Sequence, residues 1–205
     1  MSKQTPLTTQ QKSFKYQIWL MLIIVIGVIA AGYLMVPKTE QQRQKMIERL
    51  GTTNMGQLVA PSVDLSSLLA PLTDESKPKW QIVIVGGETC DESCMQIIHN
   101  TRQVHILLGK YTRRVERLFL PDNQQLDRLD LDLLSQEHPF LKISAIDNAD
   151  FGVLLTDSSA EWDMLDTRYL VVTPDHKAVL YYSAEDDVNG LLDDLKHLLK
   201  YSPAR

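Results

Sequence analysis

The sequence predicts an α/β domain preceded by a single membrane-spanning helix near the N-terminus. Three patterns lead to this prediction. They are an uncharged apolar run at residues 18–36, a strand-length apolar run at 80–85 that continues into a helical pattern, and a β-hairpin with a final amphipathic helix over 169–200. A chain of 205 residues is long enough for one such domain with a hydrophobic core.

The run at 18–36 contains nineteen residues without a charge, close to the ~20 that a helix needs to cross ~30 Å of hydrocarbon. Trp19 and Tyr33 stand near its ends, where interfacial aromatic residues are expected. The alternative is a signal peptide cleaved within Ala30-Ala31-Gly32, but the run exceeds the usual apolar core of about 7–15 residues. We therefore predict a transmembrane helix at 18–36.

Charge at the flanks does not decide the orientation of this helix, because lysines on the N-terminal side are matched by Lys38, Arg43 and Lys45 on the other. A short tail, one early span and a large following domain are the usual layout of a signal anchor. The predicted organisation is a cytoplasmic tail at 1–17, the transmembrane helix at 18–36, a juxtamembrane linker and irregular entry segment at 37–78, and an α/β domain at 79–202 outside the cytoplasm.

Charge is distributed unevenly along the chain. Residues 1–36 hold three lysines and no acidic residue, whereas the remainder holds 18 basic and 26 acidic residues, a net charge of −8. Binding to phosphates requires clustered Lys and Arg, so this acidic portion argues against nucleic acid as a partner.

The first half of the domain has a strand–helix–strand pattern. Residues 80–85 form a mostly apolar run typical of a strand covered on both faces. Apolar residues then recur at spacings of three and four from Cys94 to Leu108, and Gly109 suits the end of a helix. Residues 115–120 supply the second strand.

The middle of the domain has a weaker pattern. Four leucines between 126 and 134 have a helical spacing that ends at His138, and a short strand is predicted at 141–146. The acidic residues between 127 and 132 are interpreted as a solvated helix face, because no other ligand types converge on them.

The end of the chain predicts a hairpin, with strands at 169–173 and 178–182 around a turn at 174–177. An amphipathic helix follows at 185–200. Strand, helix, strand, variable middle, hairpin and helix are the order of elements in the thioredoxin fold.

The only two cysteines of the protein, Cys90 and Cys94, follow the 80–85 strand and the pair Gly86-Gly87, at the predicted start of the helix. Free cysteines are commonly buried as small hydrophobic residues. At a helix N-terminus, however, the helix dipole lowers thiol pKa values, which favours redox or metal chemistry. Outside the cytoplasm the pair would be able to form one disulfide.

Several motifs resemble a known family. The Cys-x-x-x-Cys spacing of Cys90 and Cys94 is similar to that of the Sco/SenC family, membrane-anchored thioredoxin-fold proteins that help load copper into cytochrome c oxidase. Short Sco-like proteins of proteobacteria are similar to this chain at Asn54-Met-Gly-Gln-Leu, at Trp80 with its strand, at Arg102-Gln-Val-His, at Leu108-Gly-Lys, and at Leu192-Asp-Asp-Leu-Lys196-His-Leu-Leu-Lys200.

This resemblance implies a thioredoxin-like domain of the Sco type. It also implies copper, as Cu(I), for the cofactor, and cytochrome c oxidase subunits or their assembly factors for partners. The implied location is a bacterial inner membrane crossed once, with the N-terminus in the cytoplasm and the domain in the periplasm.

The chain departs from this family at the third copper ligand. The family adds a histidine to its two cysteines, and the resemblance places Leu165 at that position. Met164 and His138 remain as candidate third ligands, although Met164 is more simply a hydrophobic anchor. No proline directly precedes Tyr169, where thioredoxin-type oxidoreductases keep a cis-proline.

The other histidines considered are interpreted as structural. His99 and His105 lie five and eleven residues beyond Cys94, about 7 and 16 Å along a helix. His176 belongs to the hairpin turn, roughly 15 Å or more from the cysteines.

The leading hypothesis is a membrane-tethered, non-enzymatic accessory protein for cytochrome c oxidase assembly, in which Cys90 and Cys94 present a dithiol for Cu(I) or for disulfide exchange. One alternative is a thiol:disulfide reductase acting on the copper ligands of the oxidase. Asp91 and Glu92 disfavour it, because nearby carboxylates raise thiol pKa values. The other alternative is an interaction module with a structural disulfide.

Overall fold

The computed structural model describes residues 9–35, 54–74, 76–160 and 162–202. The chain divides into two compact units, residues 1–52 and residues 53–205. The part of the predicted linker at 37–53 lies outside the described residues.

The described part of the first unit is one long helix, α1 (Thr9–Met35). Its segment Tyr16–Tyr33 has a mean hydropathy of 2.0, and none of its side chains is buried. A helix of this length and composition is able to cross a bilayer. It agrees with the transmembrane helix predicted at 18–36.

The described residues of the second unit contain a six-stranded mixed sheet in the order β1-β6-β5-β2-β3-β4. The strands are β1 (Gln57–Asp64), β2 (Trp80–Val85), β3 (Val115–Leu120), β4 (Leu141–Ile143), β5 (Arg168–Val172) and β6 (Lys177–Tyr182). The strand β2 is parallel to β3 and antiparallel to β5. The strand β4 continues the parallel part, and β6 pairs antiparallel with both β5 and β1.

Five α-helices are present in the described part of this unit: α2 (Ser66–Leu69), α3 (Glu92–Leu107), α4 (Leu131–Glu137), α5 (Asn148–Leu155) and α6 (Val188–Tyr201). Short 3-10 helices, referred to below as 3-10 turns, lie at Ala70–Leu72, Gly109–Arg114 and Asn123–Arg128. Aspartate carboxylates cap the N-termini of α3, α4, α5 and α6. Each accepts a hydrogen bond from a backbone N–H that the helix leaves unpaired.

The central strand β2 explains why the core has two layers. All six of its residues are buried. Ile82 and Ile84 belong to a cluster with side chains of α3 and α6, whereas Val83 and Val85 belong to a second cluster with side chains of α5. Burial of each such side chain stabilises the fold by about 1.5–3 kcal/mol, so this strand joins both layers.

The predicted thioredoxin-like architecture is confirmed. The strand at 80–85, the helix that follows it, the strand at 115–120, the hairpin and the final helix are all present. In the hairpin turn His176 has a φ of 60°, a left-handed conformation.

One strand departs from the prediction, because 57–64 form β1 instead of irregular structure. This strand lies at the sheet edge, pairs only with β6, and changes register between Leu58 and Val63. It also contains Pro61, a residue confined to edges and bulges of sheets. These features remove the alternation by which a strand is recognised.

The middle of the domain also differs in detail. The helix predicted from the leucines between 126 and 134 is divided, because Leu129 has an extended backbone between the 3-10 turn and α4. Asp130 caps α4, so it does not belong to a solvated helix face. The strand predicted at 141–146 ends at Ile143, and α5 was not predicted.

A buried carboxylate fastens the start of the second unit to its last helix. Asp194 on α6 is 4% exposed and accepts hydrogen bonds from the backbone N–H of Met55 (2.9 Å), the N–H of Gly56 (2.9 Å) and the hydroxyl of Tyr182 (2.7 Å). A Cβ on Gly190 would lie 2.7 Å from Met55 Cβ, so glycine permits this close approach. We call this arrangement the Asp194 clamp.

Candidate thiol–disulfide site

Cys90 and Cys94 are joined by a disulfide, with their Cα atoms 5.0 Å apart. Cys94 lies in the first turn of α3, and Cys90 precedes the helix. Their exposure differs: Cys94 is fully buried in the core, whereas Cys90 is half-buried. An attacking group from solvent therefore reaches the sulfur of Cys90 first.

Asp91 places a negative charge between the two cysteines. Its carboxylate accepts hydrogen bonds from the Ser93 hydroxyl at 2.7 Å and from the Cys94 backbone N–H at 3.1 Å. These bonds, the Ser93 hydroxyl first, hold the pKa of Asp91 below its usual range. The carboxylate is thus ionised at neutral pH and opposes thiolate formation at the helix N-terminus.

The segment before Cys90 is held against the loop that leads into β5. The Glu88 N–H donates to the Leu165 carbonyl at 3.0 Å, and the Gly87 N–H donates to the Thr167 hydroxyl at 3.4 Å. A Cβ on Gly87 would lie 2.7 Å from the carbonyl carbons of Leu165 and Asp166. Only glycine allows this approach of two backbone segments.

Two buried amides support the same segment from the other side. The side chain of Asn148 donates to the Gly86 carbonyl at 2.9 Å, and that of Gln125 donates to the Gly87 carbonyl. Both side chains are buried. Sequence reasoning missed Gln125, Asn148 and Thr167, because nothing in their spacing distinguishes a buried polar residue from a solvated one.

The residues considered as third ligands lie in different surroundings. The backbone of Leu165 is at the site, but its side chain is 58% exposed and offers no donor atom. Met164 has a φ of 63°. Its side chain lies over Gly152 of α5, and its Sδ is 3.3 Å from the position that a Cβ added to Gly152 would take. This contact supports the interpretation of Met164 as a hydrophobic anchor.

His138 follows the end of α4 and is buried. Burial lowers its pKa, and the positive charges of Arg117 and Arg102 lower it further. Arg117 is itself fully buried beneath α3, where it donates to the Ile98 carbonyl and the Thr101 hydroxyl. Burial lowers the pKa of Arg117 to about 10. His138 therefore lies in a cationic part of the core, which disfavours its protonated form.

The remaining histidines have structural contacts. The His105 ring lies 3.0 Å from the Val115 carbonyl, and burial lowers its pKa. His99 contacts Gln103 on the surface of α3. His176 contacts Gln81 at 3.3 Å, and the strand register places Gln81 at the opposite end of β2 from the cysteines.

Across the described residues no group of three or more His, Cys, Asp or Glu side chains is arranged to hold a metal ion. The donors that the fold does bring together are the two cysteine sulfurs. Reduced to thiolates, they are the soft ligands that Cu(I) prefers. Without an imidazole beside them they suit Cu(II) poorly.

Comparison with known proteins identifies one family. Residues 80–202 match the family model described as "Transmembrane-like, thioredoxin-like, C-terminal domain". No curated protein matches the chain significantly.

Three solved structures illustrate the similarity of fold. A DsbF homologue from Corynebacterium diphtheriae is 14% identical, and the match covers 63% of this chain and 76% of that one with a TM-score of 0.46. Arabidopsis thaliana ScoI with copper bound is 14% identical, with coverages of 72% and 99% and a TM-score of 0.47. Bradyrhizobium japonicum ScoI with copper bound is 15% identical, with coverages of 69% and 98% and a TM-score of 0.42.

Proposed function

This chain belongs to the family of transmembrane-like, thioredoxin-like C-terminal domains, and from that premise we propose that it is a membrane-tethered thiol–disulfide protein. The observation that carries the proposal is the Cys90–Cys94 disulfide at the head of α3, with one sulfur half-buried and the other buried. The apolar helix α1 supports a single-pass membrane protein.

The unequal exposure of the two sulfurs assigns them different roles. In the reduced protein the Cys90 thiolate, whose formation the Asp91 carboxylate opposes but does not prevent, attacks a disulfide of the partner. A mixed disulfide forms, and the partner's second sulfur leaves as a thiolate. The Cys94 thiolate then attacks Cys90, which reforms the Cys90–Cys94 disulfide and releases the partner as a dithiol. Two electrons pass to the partner, and an external dithiol reductant must restore the protein.

The proposal predicts opposite behaviour for the two single-cysteine variants. Cys94→Ser leaves the more exposed thiol and is expected to form a stable mixed disulfide with a small aromatic disulfide. Cys90→Ser leaves only the buried thiol and is expected to react at least about tenfold more slowly. Each full-chain variant in detergent is mixed with the aromatic disulfide, and the absorbance of the released aromatic thiol gives the rate. Equal rates would remove the proposed division of roles.

We propose in addition that the reduced pair carries Cu(I) as cargo, for delivery during cytochrome c oxidase assembly. Two features support this: the donor set consists of soft sulfurs, and the sequence resembles Sco-like proteins over the cysteine spacing and several other motifs. The partners on this proposal are oxidase subunits or their assembly factors. His138 and Met164 are not required, because Cu(I) accepts low coordination.

Copper stoichiometry tests this cargo role. The reduced full chain is expected to retain about one Cu(I) per molecule against a competing chelator, as a two-thiolate site would, whereas Cys90→Ser is expected to lose it. His138→Gln serves as the control and should bind as the native chain does. Equal binding by the native chain and Cys90→Ser would exclude the cysteines as the copper site. The disulfide would then be redox-active or structural.

We further propose the topology of a signal anchor in a bacterial inner membrane. Residues 1–17 are then a cytoplasmic tail, 18–36 the span, 37–78 the linker and entry segment, and 79–202 the periplasmic thioredoxin-like domain. In the periplasm a disulfide persists, which suits the Cys90–Cys94 pair. Labelling of Cys94→Ser with a membrane-impermeant thiol reagent, on cells whose outer membrane has been removed, should succeed without lysis. Labelling only after lysis would show the opposite orientation, with the thioredoxin-like domain in the cytoplasm.

A further inference from the structure

A basic cleft lies at the end of β2 opposite to the disulfide. Its volume is about 690 Å³, and its lining includes Lys77, Lys79, Trp80, Arg113 and Arg114. The strand β2 begins at Trp80, at this cleft, and ends at Val85, the end from which the chain continues to the cysteines. The cleft is therefore separate from the thiol–disulfide site.

The cleft concentrates positive charge in a portion of the chain that is acidic overall. Among the described residues one carboxylate lines it, that of Asp175, and this carboxylate pairs with Lys177 at 3.3 Å. Four cationic side chains thus line the cleft against one carboxylate that already has a cationic partner.

A second acid lies close by but is satisfied locally. The Asp74 carboxylate accepts hydrogen bonds from the hydroxyl and backbone N–H of Ser76. These bonds lower the pKa of Asp74, and the charges of Lys77 and Lys79 lower it further. In the described part of the chain no salt bridge includes Lys77, Lys79 or Arg113.

One of the four cations is held in a fixed position. The Arg114 guanidinium donates to the Leu199 carbonyl at 2.8 Å and to the Ser202 carbonyl at 3.0 Å, at the end of α6. Lys79 is half-buried beside it in the cleft wall. These bonds fix one positive charge in the cleft wall, where it attracts a phosphate without a further loss of side-chain entropy.

We propose that this basic cleft binds the phosphate of an anionic phospholipid headgroup. The volume is in the range of sites for small organic molecules, about 300–1,000 Å³, and is much larger than inorganic phosphate needs. A chain with a membrane-spanning segment is always close to headgroups, so even a weak site is occupied by effective concentration.

Hydrogen exchange on the full chain in nanodiscs tests this proposal. Discs of phosphatidylcholine alone are compared with discs that also contain phosphatidylglycerol, and exchange is followed at residues 76–80 and 112–114. We expect exchange at both segments to slow in the anionic discs only, and high salt to remove the effect. Arg113→Glu is expected to weaken the effect by at least about tenfold, because it replaces a positive by a negative charge.

Arg128→Glu is the matched control, because Arg128 is also an exposed arginine near the end of a 3-10 turn but does not line the cleft. It should retain the protection. Protection that survives Arg113→Glu, or that is absent from anionic discs, overturns the proposal. In a last comparison, glycerol phosphate or inorganic phosphate is added to the phosphatidylcholine discs. If either protects as well as the anionic lipid does, the cleft is a site for soluble anions and the lipid assignment is wrong.

Discussion

Replacement of Asp194 by alanine is expected to lower the free energy of unfolding by about 3–4 kcal/mol. The Asp194 clamp satisfies the N–H groups of Met55 and Gly56 and the hydroxyl of Tyr182 with one buried carboxylate. Alanine leaves the Gly56 N–H and the Tyr182 hydroxyl buried without an acceptor and also removes the part-buried bond to the Met55 N–H. Each donor left unpaired costs about 1–3 kcal/mol.

Chemical denaturation of the full chain in mild detergent, followed by circular dichroism, measures this effect. Asp193→Ala is the matched control, because Asp193 is the neighbouring aspartate on α6 and is exposed. Asp194→Asn should fall between the two, since the amide keeps one acceptor oxygen. If Asp194→Ala were as stable as Asp193→Ala, the clamp would contribute nothing to the fold.

Replacement of Gly87 by alanine is expected to destabilise the second unit by about 1–3 kcal/mol and to make the disulfide easier to reduce. The added Cβ would meet the backbone of Leu165 and Asp166 at distances that real Cβ atoms do not show. Backbone atoms cannot turn aside as a flexible side chain can. The two segments must therefore separate, which breaks the hydrogen bond between Glu88 and Leu165 and loosens the segment that leads to Cys90.

Gly86→Ala provides the graded comparison. A Cβ there would lie 3.2 Å from the side-chain oxygen of Gln125 and 3.2 Å from Pro121 Cα. Shifts of a few tenths of an ångström relieve these contacts, so a milder loss is expected than at Gly87. Unfolding curves and the rate of disulfide reduction by dithiothreitol measure both consequences. Equal behaviour of the two alanine variants would contradict the close backbone approach at Gly87.

The parts of the fold that were predictable are those with strong local periodicity. The strand β2 is buried on both faces, and α6 has a clear apolar stripe. The strand β1 has neither pattern, because Pro61 and an irregular register interrupt it, and it is recognisable only from its pairing with β6. The helix α5 was missed for a related reason: its eight residues are too few to establish a period.

The candidate site likewise has a part that is predictable from the sequence and a part that is not. The position of Cys90 and Cys94 at a strand-to-helix turn follows from their neighbours in sequence. The groups that hold the turn in place come from distant parts of the chain, at Gln125, Asn148 and Thr167. A buried amide is identified by its partner in space, and sequence spacing does not supply that partner.

The two edges of the sheet bear on how copies of this protein behave beside one another in a membrane. At the β1 edge Pro61 has no N–H to donate, and Ser159 already occupies both the N–H and the carbonyl of Ala60. At the other edge β4 has three residues, and its Lys142 is exposed. Short, charged or proline-containing edges resist the addition of a strand from a neighbouring molecule. Tethering raises the local concentration of the protein in two dimensions, and these edges protect it there against aggregation.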